Sequence, residues 1–254
     1  MLQPNENRWL QEDLSTSIRN HLREGELSLT EFDRVLPMVM KRTLSVLPDV
    51  TTLRRKAQAL AVLDAIMSPD RHYRYYSFNS SWDTDEMMAA RKNGSGDELY
   101  VLFNASGAIL KGFDHESFMS PWAREDQSLW PRIFDLVPSE FTAFLREPAF
   151  DLPNTTFCIW RRNRDASWHA GNIEYPDGDE NSDGSEEQLA LFAGGPELYV
   201  RFAEEYFDQA IPLGPVVQIY RHEVLTETIV KQLNPRSDLA SLELDLAEIG
   251  FPSA

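Results

Sequence analysis

The hydrophobic pattern is clearest in residues 98–114, where two apolar runs flank a short turn. Residues 99–103 combine aliphatic and aromatic side chains in a composition typical of a strand. Gly107 lies at the turn, and a glycine reaches the positive φ that short hairpin loops require. The pattern therefore predicts a β-hairpin. Because an isolated hairpin is only marginally stable, we expect further strands beside it.

Three more segments have strand-like composition: residues 73–78 upstream, and residues 155–162 and 167–175 downstream. The last two are separated by a polar stretch, residues 163–166, that predicts a second hairpin. Strands thus cluster in the middle of the chain instead of alternating with helices. We predict the α+β class, with a central, mostly antiparallel sheet of about five strands and helices N-terminal and C-terminal to it.

Helical periodicity dominates both ends of the chain. It predicts an N-terminal helical segment over residues 1–70, which forms either a subdomain or a layer on the sheet, and an α+β domain over residues 71–254. The first segment contains three predicted helices: residues 9–23, residues 30–47 with a kink at Pro37, and a third that opens at Thr51 or Thr52 and is closed by Pro69. Helix signals in the C-terminal third include Pro196 at a first position, Thr226 as an N-cap and Gly250 as a C-cap.

Two further helix predictions concern the middle of the chain. Asp83 and Glu86 have the spacing of a capping box, which predicts a short helix over residues 86–92. Residues 130–146 contain two prolines at helix-starting positions and an apolar stripe, and predict two short helices.

Charge is distributed unevenly along the 254 residues. Residues 1–74 carry 11 basic and 10 acidic side chains, whereas residues 75–254 carry 13 basic and 31 acidic ones. An acidic field of this size repels nucleic acid and attracts a basic protein partner. The alternative interpretation is that the charge serves solubility alone.

The chain also carries signals about its cellular compartment. A single cysteine excludes an internal disulfide framework, and no apolar run approaches the roughly 18 residues of a membrane helix. The first residues have neither the basic nor the apolar region of a secretory signal. We expect a cytoplasmic protein without membrane contact; its oligomeric state is left open.

Residues 174–187 contain seven acidic side chains and no basic one. Within them Asp179, Asn181 and Asp183 alternate and precede a glycine, as in the first half of an EF-hand calcium loop. The match fails at the twelfth position, where Ala190 stands in place of a bidentate glutamate. Two interpretations remain: a Ca²⁺ site formed by these three residues, and a solvated acidic turn.

Tryptophan and arginine residues cluster around the second predicted hairpin, and both residue types are enriched at interface hot spots. With the acidic loop beside them they predict a partner-binding edge. Its members are Trp160, Arg161, Arg162, Arg164, Trp168, Asp177, Asp179 and Asp183. The alternative is that Trp160 belongs to the core and that the arginines pair with local acids.

None of the five histidines has metal-ligand spacing to another. Asp114, His115 and Glu116 are consecutive and dense in ligand types, and they are the candidate catalytic set of an enzyme, such as a hydrolase, without a standard motif. A metal held by the loop over residues 177–187 is the other form of this enzyme alternative. No nucleophile-elbow pattern surrounds the nearby serines.

Four short segments resemble a group of bacterial proteins of unknown function. They are residues 75–80, 112–117, 156–162 and 183–186. The resemblance covers roughly residues 73–252 and implies no activity and no site. In its acidic, cytosolic and motif-poor character the chain is also similar to bacterial toxin-immunity proteins. We therefore expect a non-catalytic acidic binding module for a basic protein partner, with the enzyme as the alternative.

Overall fold

The structure is a computed structural model that describes residues 43–178 and 180–254. The helices predicted over residues 9–23 and most of residues 30–47 lie outside the described residues. The boundary predicted near residue 70 stays a prediction.

A six-stranded antiparallel sheet forms the centre of the described part, and its strands are neighbours in chain order. The strands are β1 (Tyr76–Asp83), β2 (Glu86–Lys92), β3 (Glu98–Asn104), β4 (Gly107–Phe113), β5 (Phe157–Arg162) and β6 (His169–Ala170). Helices precede and follow this sheet, so the predicted α+β class is confirmed.

The predicted central hairpin is formed by β3 and β4, which pair from Glu98 opposite Phe113 to Asn104 opposite Gly107. Gly107 has a φ of +153°, and a Cβ there would lie 2.1 Å from the backbone oxygen of Arg161 on β5. Glycine is thus required both by the turn and by the close approach of the next strand.

The helix predicted over residues 86–92 is wrong, because these residues form β2. Asp83 pairs directly with Glu86 across a tight turn, in which Asp85 takes a positive φ of 57°. The acids that suggested a capping box therefore form a hairpin turn. Pairing with β1 and β3, which buries Ala89 and Ala90, overrides the helical propensity of the segment.

One face of the sheet is covered by helices. They are α1 (Thr43–Val46), α2 (Val50–Met67), α3 (Ser185–Ala193), α4 (Pro196–Phe207), α5 (Leu213–Tyr220), α6 (Glu227–Leu233) and α7 (Glu243–Ile249). The predicted roles of Pro196, Thr226 and Gly250 at helix ends are confirmed. The sequence did not predict α3. No helix in the described part is both long and apolar enough to span a membrane.

The other face is covered by residues 114–156, which contain only turns and three-residue 3₁₀ segments. Here the two helices predicted over residues 130–146 are wrong. Arg132 and Leu136 have positive φ values of 70° and 65°, and a left-handed residue interrupts an α-helix. The apolar stripe does lie in the core as expected, since Phe141 and Phe144 are buried.

Candidate functional site

Three titratable side chains meet beyond the open end of the central hairpin. The β3–β4 register ends with Glu98 opposite Phe113, and one further step along each strand reaches Asp97 and Asp114. His115 follows, and its Nδ1 lies 2.7 Å from Oδ1 of Asp97. Each of the three residues offers one ligand atom, and these atoms lie within 4.8 Å of one another. The sequence interpretation named Asp114 and His115 but missed Asp97, which the hairpin register alone would have placed opposite them.

The hydrogen bond to Asp97, together with the negative charge of that residue, raises the pKa of His115 above its ordinary value. The protonated imidazolium is therefore favoured, and a protonated ring is a poorer general base. The nearby hydroxyls are engaged elsewhere: Ser117 Oγ donates to the Ser182 carbonyl at 2.6 Å, and Ser120 Oγ accepts from the Trp122 backbone N–H. Glu116, the third member of the candidate catalytic set, extends into solvent with 86% of its side chain exposed.

The tryptophans of the predicted partner-binding edge are buried. Trp160 and Trp168 are each 3% exposed, and the indole N–H of Trp168 donates to the Pro48 carbonyl at 2.7 Å. Both side chains are occupied by intramolecular packing and present almost no surface to a partner. The alternative that Trp160 belongs to the core is confirmed.

The arginines at the end of β5 bond to neighbouring groups. Arg162 forms an ion pair with Asp165 at 3.0 Å, and Arg161 Nε donates to the Asp165 carbonyl at 3.2 Å. Arg164, with 70% of its side chain exposed, lies 3.2 Å from Glu140. All three arginines are thus bonded within the protein, and a surface ion pair such as that of Arg164 with Glu140 contributes little stability.

The acidic loop lies at the opposite end of β5 from these arginines. The carbonyl of Asp183 accepts a 2.7 Å hydrogen bond from Thr156, just before β5 begins, whereas Arg162 ends the strand. A strand rises about 3.3 Å per residue, so about 20 Å separate the two groups. The structure therefore does not join them into one edge.

The predicted calcium ligands are only partly described. Asp179 lies outside the described residues, and so do the side chains of Asp177 and Asn181. Asp183 is buried, and its Oδ1 accepts the backbone N–H of Ser185 at the start of α3. Glu186 and Glu187 follow in the first turn of α3, where acidic residues stabilise a helix. Part of the acidic run is thus explained by the start of a helix that the sequence interpretation missed.

A second acidic group lies at the turn end of the sheet, where the β1–β2 and β3–β4 turns are neighbours. There a groove of about 660 Å³ is lined by acidic side chains and by apolar ones. The acidic members are Asp83, Asp85 and Glu86, and the apolar ones include Met87 and Phe103. These three acids lie within four consecutive residues. Because residues 86–92 were predicted to be a helix, the sequence did not place the acids on a hairpin turn.

The groove concentrates negative charge. Partial burial and the neighbouring Asp83 carboxylate raise the pKa of Glu86, and Glu147 adds to this repulsion. No described basic side chain forms an ion pair with Asp83, Asp85 or Glu86, although Arg54 lines the same groove. The three carboxylates outnumber the one basic side chain of the lining, so the groove has a net negative charge.

Comparison of the chain with protein-family models, with curated proteins and with solved structures finds no match. The resemblances drawn from the sequence stay predictions.

Proposed function

We propose that this protein is a non-catalytic cytoplasmic module that binds a basic protein partner, as an immunity or inhibitor protein does, through the acidic groove at the turn end of its sheet. The observation that carries the proposal is the cavity of about 660 Å³ lined by Asp83, Asp85 and Glu86. The excess of acidic residues in residues 75–254 would steer such a partner towards this part of the molecule.

A lysine or arginine side chain of the partner fits the chemistry of this groove. Its charged head would lie among the three carboxylates and reduce their mutual repulsion. Its aliphatic stem would contact the apolar lining formed in part by Met87 and Phe103. Arginine would be favoured over lysine, because its planar guanidinium forms two hydrogen bonds with one carboxylate.

The enzyme alternative has less support from the geometry of the described residues. His115 lies at the surface with 41% of its side chain exposed, and its Nδ1 is bonded to Asp97. The hydroxyls of Ser117 and Ser120 are bonded within the protein and are not directed at the imidazole. A binding role requires none of these groups to react.

The proposal is tested by selecting a random peptide library on the immobilised protein. We expect the selected peptides to share a basic residue next to an apolar one, and to elute as salt is raised above about 0.15 M. A triple variant, Asp83→Asn, Asp85→Asn and Glu86→Gln, should weaken binding of the selected peptides at least about tenfold.

The matched control removes the same amount of charge elsewhere. Glu125, Glu205 and Glu243 are exposed and lie outside the groove, so their combined change to glutamine should leave peptide affinity within about twofold. Equal losses in both triple variants would show that net charge, and not the groove, attracts the peptide. Selection of acidic or uncharged peptides would contradict the proposal outright.

A further inference from the structure

The cluster at the open end of the hairpin has a ligand chemistry that the groove lacks. Asp97, Asp114 and His115 bring one imidazole and two carboxylates together, with ligand atoms within 4.8 Å of one another. Asp97 comes from the chain entering β3, whereas Asp114 and His115 come from the chain leaving β4. The pairing of these two strands therefore sets the spacing of the three side chains.

Both carboxylates are held in place while keeping further acceptor capacity. Asp97 accepts the Asn93 side-chain N–H at 2.7 Å through Oδ2 and the His115 backbone N–H at 3.1 Å through Oδ1. Asp114 accepts the Glu116 backbone N–H at 2.9 Å through Oδ1. An ionised carboxylate has about four lone-pair sites, so these bonds leave lone pairs for a cation.

Two glycines allow the backbone to approach the cluster closely. A Cβ on Gly184, which has a φ of +77°, would lie 2.2 Å from Oδ2 of Asp114. A Cβ on Gly96, at a φ of +121°, would lie 3.4 Å from the His115 ring. The chain segments around residues 96 and 184 thus restrict the positions of two of the three side chains.

We propose that Asp97, Asp114 and His115 form a binding site for a divalent transition-metal ion, with Zn²⁺ as its test ion. Imidazole with carboxylates suits Zn²⁺, Fe²⁺ or Mn²⁺, whereas Ca²⁺ and Mg²⁺ prefer oxygen ligands alone. Glu116 Oε1 lies 3.9 Å from Nε2, the ring nitrogen of His115 that does not face Asp97, so water would complete the coordination beside the three protein ligands. The site shares no ligand with the predicted calcium loop, although Gly184 of that loop lies against Asp114, and it is at the other end of the sheet from the groove.

Metal binding would change one existing contact. The bond between His115 Nδ1 and Asp97 would be replaced by bonds from both groups to the cation. The imidazole must be neutral to bind a metal, so binding releases a proton whenever His115 starts in its protonated form. The expected affinity therefore falls as the solution becomes more acidic.

Calorimetric titration of the full chain with ZnCl₂ tests the proposal. We expect one ion per chain, and at least about a tenfold loss of affinity in Asp114→Asn and in His115→Gln. His169→Gln is the matched control, because His169 also lies near a carboxylate, 3.7 Å from Asp165, and should leave affinity unchanged. Substituting Co²⁺ for Zn²⁺ in the unmodified protein should give an absorption spectrum of nitrogen and oxygen coordination.

The outcomes are distinguishable from those of the groove experiment. Absence of saturable Zn²⁺ binding, or binding that is lost with His169 and kept without His115, would overturn the metal site. Circular dichroism of each variant separates a lost ligand from a lost fold. The triple variant at Asp83, Asp85 and Glu86 should bind Zn²⁺ normally, since these residues lie at the other end of the sheet.

Discussion

The two faces of the central sheet are covered by different kinds of structure. On one face, helices such as α2 pack against β1, and the buried side chains of α2 include Leu53 and Leu60. On the other face, residues 114–156 form an irregular cover in which Phe144 stacks on Phe150 at a ring distance of 4.6 Å. Both covers exclude water from β4, whose seven residues are all buried.

The two covers differ in how the hydrogen-bonding groups of their backbones find partners. A helix bonds its own amides and carbonyls, except at its ends. An irregular cover requires hydrogen-bond partners from other parts of the chain, and here Lys111 on β4 is one of them. Its Nζ donates to the carbonyls of Asp151 and Asn154, at 3.1 and 2.6 Å. The indole N–H of Trp130 similarly donates to the Glu174 carbonyl at 3.0 Å.

Each face also contains a buried ionisable group, and the two groups have opposite charge. Asp64 of α2 is 2% exposed and accepts the backbone N–H groups of Tyr75 and Tyr76, both at 2.7 Å. Lys111 is fully buried on the other face. Stability should therefore respond to pH in opposite directions on the two faces, and this response is the most direct way to test the comparison.

The largest effect is expected at Asp64. Burial raises the pKa of Asp64 from 3.8 to about 7, against the opposing effect of its two backbone hydrogen bonds and of Arg74. A raised pKa in the folded state means that the folded protein binds the proton more tightly, so stability falls as pH rises from about 4 to 7. The loss is about 1.4 kcal/mol per pH unit, or about 4 kcal/mol over the whole range.

Urea unfolding of Asp64→Asn beside the unmodified protein, at several pH values from about 4 to 8, measures this contribution. The stability difference between the two proteins should change steadily up to about pH 7 and then become constant. A difference that does not depend on pH would show that Asp64 keeps an ordinary pKa despite its burial.

A smaller effect is expected at Lys111. Lys111→Met should cost about 2–3 kcal/mol, because it leaves the carbonyls of Asp151 and Asn154 without their buried donor. Hydrogen exchange should accelerate within residues 141–154 well before it accelerates in α2, since only the irregular cover depends on this side chain.

The pH response of Lys111 has the opposite sign to that of Asp64. Burial lowers the pKa of Lys111 from 10.5 to about 8, so stability rises as pH increases between these values and the rise disappears in Lys111→Met. Lys92→Met is the control, because Lys92 is half exposed in an ion pair with Glu98 and should change stability by less than about 1 kcal/mol. Uniform acceleration of exchange on both faces would contradict the comparison.

The same contrast explains which parts of the fold the sequence predicts. Helical periodicity and end signals located α2 and α4, because a helix is specified by neighbouring residues. The irregular cover could not be predicted, since its path depends on distant donors such as Lys111. The strand β2 was mistaken for a helix because its acids and alanines favour a helix locally, and only pairing with β1 and β3 decides the outcome.

In the candidate sites, too, neighbouring residues could be predicted from the sequence and residues brought together by strand pairing or burial could not. Asp114 and His115 were located by their density in sequence, but Asp97 required the register of the β3–β4 hairpin. The acidic groove was missed together with β2, whose turn carries Asp83 and Asp85. Trp160 and Trp168 were placed in the candidate partner-binding edge, with a core position for Trp160 as the alternative, because residue type alone does not reveal burial.

The smallest effect on stability is expected at the start of α2, where the first backbone N–H groups have no partner within the helix. Asp49 accepts the Thr52 backbone N–H at 3.0 Å, and this bond lowers the pKa of Asp49. Asp49→Ala should cost about 1 kcal/mol in thermal or urea unfolding. Asp49→Asn retains a capping acceptor and should lose only part of this amount.

Because the pKa of Asp49 is lowered, its carboxylate stabilises the folded protein above the ordinary pKa of 3.8. This contribution is lost as the pH falls below that value. The difference between aspartate and asparagine at position 49 should therefore disappear in acid. Asp70→Ala, which removes the cap of a single 3₁₀ turn, Arg71–Tyr73, is the comparison variant. It should cost less, because that turn has no buried side chains, whereas α2 carries much of the helical cover. Equal losses of stability in Asp49→Ala and Asp70→Ala would mean that the contribution of a cap does not depend on how many side chains its helix buries.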